Sequence, residues 1–89
     1  MAEHRVKSWC HLFAAFVRGE KTHDLRIFDR DYKVGDTLRL CEYDKQAERY
    51  TGREAMAEIT YITSANHIAC AFSPTALGKD YAILSIRKL

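Results

Sequence analysis

From Trp9 to Val17 the apolar residues Trp9, Leu12, Phe13, Phe16 and Val17 recur at i, i+3, i+4, i+7 and i+8. That spacing lays them along one stripe of an α-helix. It predicts a helix over Trp9–Arg18 with the Leu12/Phe13/Phe16/Val17 face buried. Ser8 suits the N-cap, Gly19 a C-terminal stop, and Arg18 the electronegative end of the dipole. Ahead of the helix, "HRVKSW" alternates weakly and predicts a short strand around Arg5–Lys7. After it the period falls to two. "LRIFD" predicts a strand over Leu25–Phe28, and "TLRLCEY", Thr37–Tyr43, sets Leu38 and Leu40 against Arg39 and Cys41. "AMAEITYIT", Ala55–Thr63, is its partner across an exposed polar connection, "DKQAERYTGRE". Ser73-Pro74 and Gly78-Lys79-Asp80 mark turns. The final strand begins at Tyr81, and its unbroken apolar run predicts a central position buried on both faces. These elements predict an α+β fold: a small barrel or curled, mainly antiparallel sheet of about five or six strands with one or two helices.

A chain of 89 residues supports one domain, 1–89. No apolar run approaches the roughly 18 residues that cross a bilayer, and "MAEHRVKSWC" has no signal-peptide core, so a cytoplasmic protein is expected. A net charge of +2 does not by itself point to nucleic acid; any electrostatic footprint must come from local clustering. Cys10, Cys41 and Cys70 are odd in number and widely spaced, which predicts reduced thiols. His67 and Cys70 have ligand spacing but supply only two ligands, so no metal is expected. No Ser/His/Asp triad, phosphate loop or dinucleotide fingerprint is present.

The segment "RGEKTHDLRIFDRDYKVGD", Arg18 to Asp36, is dense in charge of both signs. If Lys21–Phe28 is extended, alternation puts Thr22, Asp24, Arg26 and Phe28 on one side and Lys21, His23, Leu25 and Ile27 on the other. Leu25 and Ile27 then read as core. Asp24 beside Arg26 can fix the guanidinium and leave donors for a ligand. Arg30, between Asp29 and Asp31, is set for a similar double restraint. The competing reading makes these solvated surface pairs, worth about 0–1 kcal/mol each. Asp29, Asp31 and Asp36 suit turns, where their oxygens bond nearby amides. Among Tyr32, Tyr43, Tyr50 and Tyr61, Tyr32 is the best candidate to stack a base because it lies in the polar loop. Arg49 and Arg53, on the hairpin connection, could meet phosphates or remain solvated.

"GEKTHDLR" resembles the G-x-K-x-x-E-x-R signature of ASCH domains, within the PUA-like group of small β-barrels. Gly19, Lys21 and Arg26 match, and Asp24 stands where the signature has Glu. Further resemblance to an uncharacterised bacterial and phage branch covers Trp9, Asp29-Arg30-Asp31-Tyr32, Val34-Gly35-Asp36, Glu42-Tyr43-Asp44, Tyr50-Thr51-Gly52-Arg53 and Tyr81–Ile86. The resemblance implies a PUA-like pseudobarrel that binds RNA, a nucleotide or a modified base beside the G-x-K loop. One ASCH type deacylates a modified cytidine with a Lys, a Thr and a Glu. Lys21 matches that Lys, the Thr position is Asp24, and no Glu stands between Ser64 and Asp80. The expectation is therefore a monomeric binding module without cofactor, using Lys21, Asp24, Arg26, Arg30 and Tyr32. The alternatives are a small amidohydrolase, with Lys21 beside Asp24 or Thr22, and a phage-borne protein that uses the fold as an interaction surface for a protein partner.

Overall fold

A computed structural model describes residues 1–64, Gly78 and residues 80–89. Its elements are β1 (Glu3–Trp9), α1 (Cys10–Val17), β2 (His23–Ile27), β3 (Thr37–Asp44), β4 (Arg49–Ser64) and β5 (Tyr81–Lys88). The strands form one sheet in the order β1-β3-β4-β5-β2, with β1 parallel to β3 and the other pairs antiparallel. The sheet curls into a half-barrel whose edge strands, among the described residues, are β1 and β2. The helix lies inside the curl. Phe13 and Phe16 join Val6, Leu40, Ile59 and Leu84 in one buried cluster, and Val17 packs partly buried against it. Phe13, Phe16 and Val17 thus follow the predicted stripe, whereas Leu12, expected on the same face, is half-buried and outside the cluster.

The helix ends as its sequence requires. Gly19 sits at φ 83, and the N–H groups of Gly19 and Glu20 return to Phe16 O and Ala15 O at 3.0 Å each. This is a Schellman ending, in which a residue without Cβ takes the left-handed position. The start differs from expectation. Ser8 is not the cap: it is buried on the inner face of β1, which runs on to Trp9, and the N-cap residue Trp9 makes no side-chain capping bond. Trp9 belongs to the strand's outward phase, so it leaves the helical stripe and is 37% exposed.

Three other readings change. The connection after β3 narrows to a turn over 45–48, because Asp44↔Arg49 and Tyr43↔Tyr50 extend the ladder beyond a β-bulge at Cys41/Tyr43. β5 is central between β4 and β2, yet only Ala82, Leu84 and Ile86 are buried; Tyr81 is exposed on the convex face, which nothing among the described residues covers as α1 covers the other. In β2 the expected core phase is reversed: Leu25 and Ile27 are exposed, whereas Asp24 is buried and Arg26 half-buried. The turn at Ser73-Pro74, Lys79 and the His67/Cys70 pair lie outside the described residues. Among those described, no helix is long and apolar enough to cross a membrane.

Candidate functional site

The site forms where the half-barrel fails to close. Among the described residues β2 pairs through backbone only with β5, and β1 only with β3, so their outer edges face each other across a seam. Two guanidinium groups bridge it. Arg26 Nη2 donates to Lys7 O at 3.3 Å, and Arg30 Nη1 donates to Arg5 O at 3.4 Å. Arg5 and Lys7 are alternate residues of β1, so both direct their backbone groups the same way, out of the sheet edge. Both bonds are long, so the seam is loosely held by charge and not sealed by a ladder.

The reversed phase of β2 has a clear cause. Asp24 is 5% exposed because two cations hold it on the inner side. Lys21 Nζ donates to Asp24 Oδ1 at 3.2 Å, and to His23 O at 2.5 Å. Arg26 Nε donates to the other oxygen, Oδ2. The Schellman turn delivers Lys21 to this point, its N–H still bonded to Ala15 O. An apolar phase at Leu25 and Ile27 is overruled because a buried carboxylate needs its partners within the fold. Burial works against the Arg26 charge, but its bond to Asp24 and the nearby carboxylate outweigh that and raise its pKa above the ordinary guanidinium value.

Tyr32 is in the expected loop but not open to a ligand's face. It is 3% exposed and packs edge-on against His4 at 4.8 Å and Phe28 at 5.8 Å between centroids. Burial pushes its phenol pKa up, against the pull of Arg26 and Arg30. It supports the arginines from beneath and offers no stacking platform. Arg30 is also less restrained than expected. Asp29 Oδ1 lies 3.7 Å from its Nε, while Asp31 pairs with Lys33 at 3.5 Å. Asp36 is structural, as its turn position implied. It is 3% exposed and accepts from His4 Nε2 (2.8 Å) and the amides of Ala2 (3.0 Å) and Lys33 (3.1 Å).

The seam encloses a cleft of about 420 Å³. Asp24, Arg26, Arg30 and Tyr32 line it, joined by Lys7, Trp9 and Tyr81. Lys21 does not line it and acts on the cleft through Asp24. Three cations (Lys7, Arg26, Arg30) face two carboxylates (Asp24, Asp29), leaving a positive excess beside aromatic walls. Such a site can take a phosphate together with a flat, partly apolar group. Lys7 and Trp9 escaped the sequence reading: Lys7 sat in a strand too short to show its outward phase, and Trp9 fitted the helical stripe. Arg53 is directed elsewhere, 5.2 Å from the Phe13 ring centroid and 3.8 Å from Glu42.

Comparison with known proteins adds a relationship without a function. An uncharacterised 12.9 kDa protein of Escherichia phage P2, in the 3′ region of GpA, is 38% identical over 60 residues, 67% of this chain and 53% of that protein. The chain thus spans about half the length of that curated relative. Residues 3–86 match the family described as "Domain of unknown function (DUF3850)", and the chain belongs to that family.

Proposed function

We propose that this domain binds nucleic acid, RNA foremost, or a nucleotide or modified base, by taking a phosphate and its base into the cleft between β1 and β2. The observation that carries this reading is Arg26. Its Nε is fixed by a buried carboxylate while its Nη2 rests on a long, exchangeable bond to Lys7 O. A guanidinium anchored at one end and weakly held at the other is prepared for a bidentate contact. Arg30, whose bond to Arg5 O is also long, supplies a second such fork. We take the half-barrel to be a PUA-like pseudobarrel of the ASCH type, with the seam as its binding cleft.

The same geometry disfavours the hydrolase. Both oxygens of Asp24 are occupied by cations, so the carboxylate orients and does not attack. Thr22 is exposed, and its carbonyl accepts Ile86 N–H at 3.0 Å as part of the β2–β5 pairing. The test is fluorescence anisotropy with labelled single-stranded RNA and DNA, with free nucleotides as competitors. Saturable binding that Arg26→Ala weakens about ten-fold or more is expected. Absence of binding to every one of these, or an Arg26→Ala variant equal to wild type, would overturn the reading and leave the surface to a protein partner.

A further inference from the structure

Strand register places three aromatic residues in one row. Trp9 of β1 is opposite Tyr43 of β3, and Tyr43 is opposite Tyr50 of β4. The ring centroids are 5.7 Å and 5.1 Å apart, and both contacts are edge-to-face. The row lies on the convex face: Trp9 is 37% and Tyr50 55% exposed. Two ammonium groups sit among the rings. Lys7 Nζ is 4.0 Å from the Tyr43 centroid and Lys45 Nζ 5.5 Å from that of Trp9. The neighbouring carboxylate, Asp44, is occupied by the turn, accepting from the amides of Gln46 and Ala47 at 3.0 and 3.1 Å. Core packing explains none of this, because an aromatic row needed only for packing would face inward.

The row is continuous with the cleft. Lys7 and Trp9 line the 420 Å³ cleft, and Trp9 is also a wall of a second hollow of about 580 Å³ beside the hairpin turn, formed with His11, Lys45 and Gln46. Trp9 is thus the partition between two concavities. We infer that the Trp9–Tyr43–Tyr50 row, with Lys7 and Lys45, is an extension of the cleft that stacks successive bases of a single strand, so that the ligand is a single-stranded oligonucleotide and not a mononucleotide. This rests on the reading of the cleft given above. Exposed aromatics interleaved with cations suit a single strand, since every base offers a π-face and every linkage a charge. A duplex would present only its backbone to the rings.

Trp9 is the single tryptophan of the chain, so its fluorescence reports stacking directly. Wild type, Tyr50→Ala and Arg26→Ala are titrated with uridine monophosphate and with a uridine dimer, tetramer and octamer; deoxythymidine oligomers of the same lengths separate RNA from DNA. Affinity should rise at least about ten-fold from monomer to octamer, with Trp9 quenched by the longer ligands. Tyr50→Ala, at an exposed site, should reduce octamer affinity about 5- to 150-fold. Binding that depends on Arg26 but neither grows with length nor responds to Tyr50→Ala would overturn this inference and leave the cleft reading intact. Binding indifferent to Arg26→Ala, or absent altogether, would remove both.

Discussion

Arg26 donates its Nε to Asp24, two positions earlier on the same strand, and the pair faces the inside of an edge strand. Neighbours two apart on a strand share a face, so the sequence can build this contact locally. The rest of the guanidinium is left to span the seam.

Asp24→Asn should weaken nucleic-acid binding although it removes a negative charge from the cleft. Without the carboxylate, Lys21 and Arg26 lose their common anchor and the fork loses its orientation. A plain basic patch predicts tighter binding for the same variant. Loss of a buried, charge-assisted pair should also destabilise the fold by about 1–3 kcal/mol. Anisotropy titration and urea unfolding of the variant read the two effects separately.

Arg26→Ala should reduce affinity more than Lys21→Ala. Arg26 lines the cleft, whereas Lys21 reaches it only through Asp24. With Lys7, Arg26 and Arg30 as the phosphate contacts, the slope of log K against log salt should be about −2 for a single strand. A Lys21 variant weaker than the Arg26 variant, or a slope near zero, would refute the assignment.

No deacylation of acylated cytidine is expected from the purified protein, because the position of the hydroxyl nucleophile carries a carboxylate already bound by two cations. Cytidine release followed by chromatography tests this. Turnover that disappears in Lys21→Ala would show the enzyme reading to be correct.

Acid should destabilise the fold through Asp36. Its carboxyl is held below the usual range, first by the His4 bond and then, against the effect of burial, by the amides of Ala2 and Lys33. A folded-state pKa lower than the unfolded one adds stability above the unfolded value, near pH 4, and loses it as pH falls through the folded value. Exposed Glu20 and Glu54 are also lowered, by Arg18 and Arg39, and act in the same direction more weakly. Asp36→Asn should therefore flatten the decline of melting temperature below about pH 4. An unchanged acid limb would refute this.

Phe13→Ala or Phe16→Ala should cost about 3–5 kcal/mol, a large share of what so small a domain possesses. Each side chain is at most 2% exposed within the curl. A cooperative transition close to that of wild type would contradict the position of α1.

The helix stripe, the Gly19 stop and the alternation of Leu38 and Leu40 were legible because each expresses a local period or backbone requirement. β2 was not. Its Leu25 and Ile27 look like core to any hydrophobic pattern, and only a long-range fact reverses them: Asp24 must be buried where Lys21 and Arg26 can both reach it. Likewise Tyr32 stands in a polar loop by sequence but is drawn inward against nearby Phe28 by His4 from the distant first strand. Of the residues expected in the site, Asp24, Arg26 and Arg30 line one cleft, whereas Lys21, expected to converge with the two arginines, does not line it. Lys7 and Trp9 could be found only from the parallel pairing of β1 with β3, which no local signal encodes.

The position of β2 also sets when the site can exist. It is made early, but among the described residues its only backbone ladder is with β5, extended at one end by Ile86 N–H to Thr22 O and at the other by Phe28 N–H to Asp80 O at 2.7 Å. On a ribosome, β1 and α1 would emerge, then β2 would wait without a strand to join until residues 81–88 were free. The two walls of the cleft would come together only once β5 had emerged to hold β2 in place.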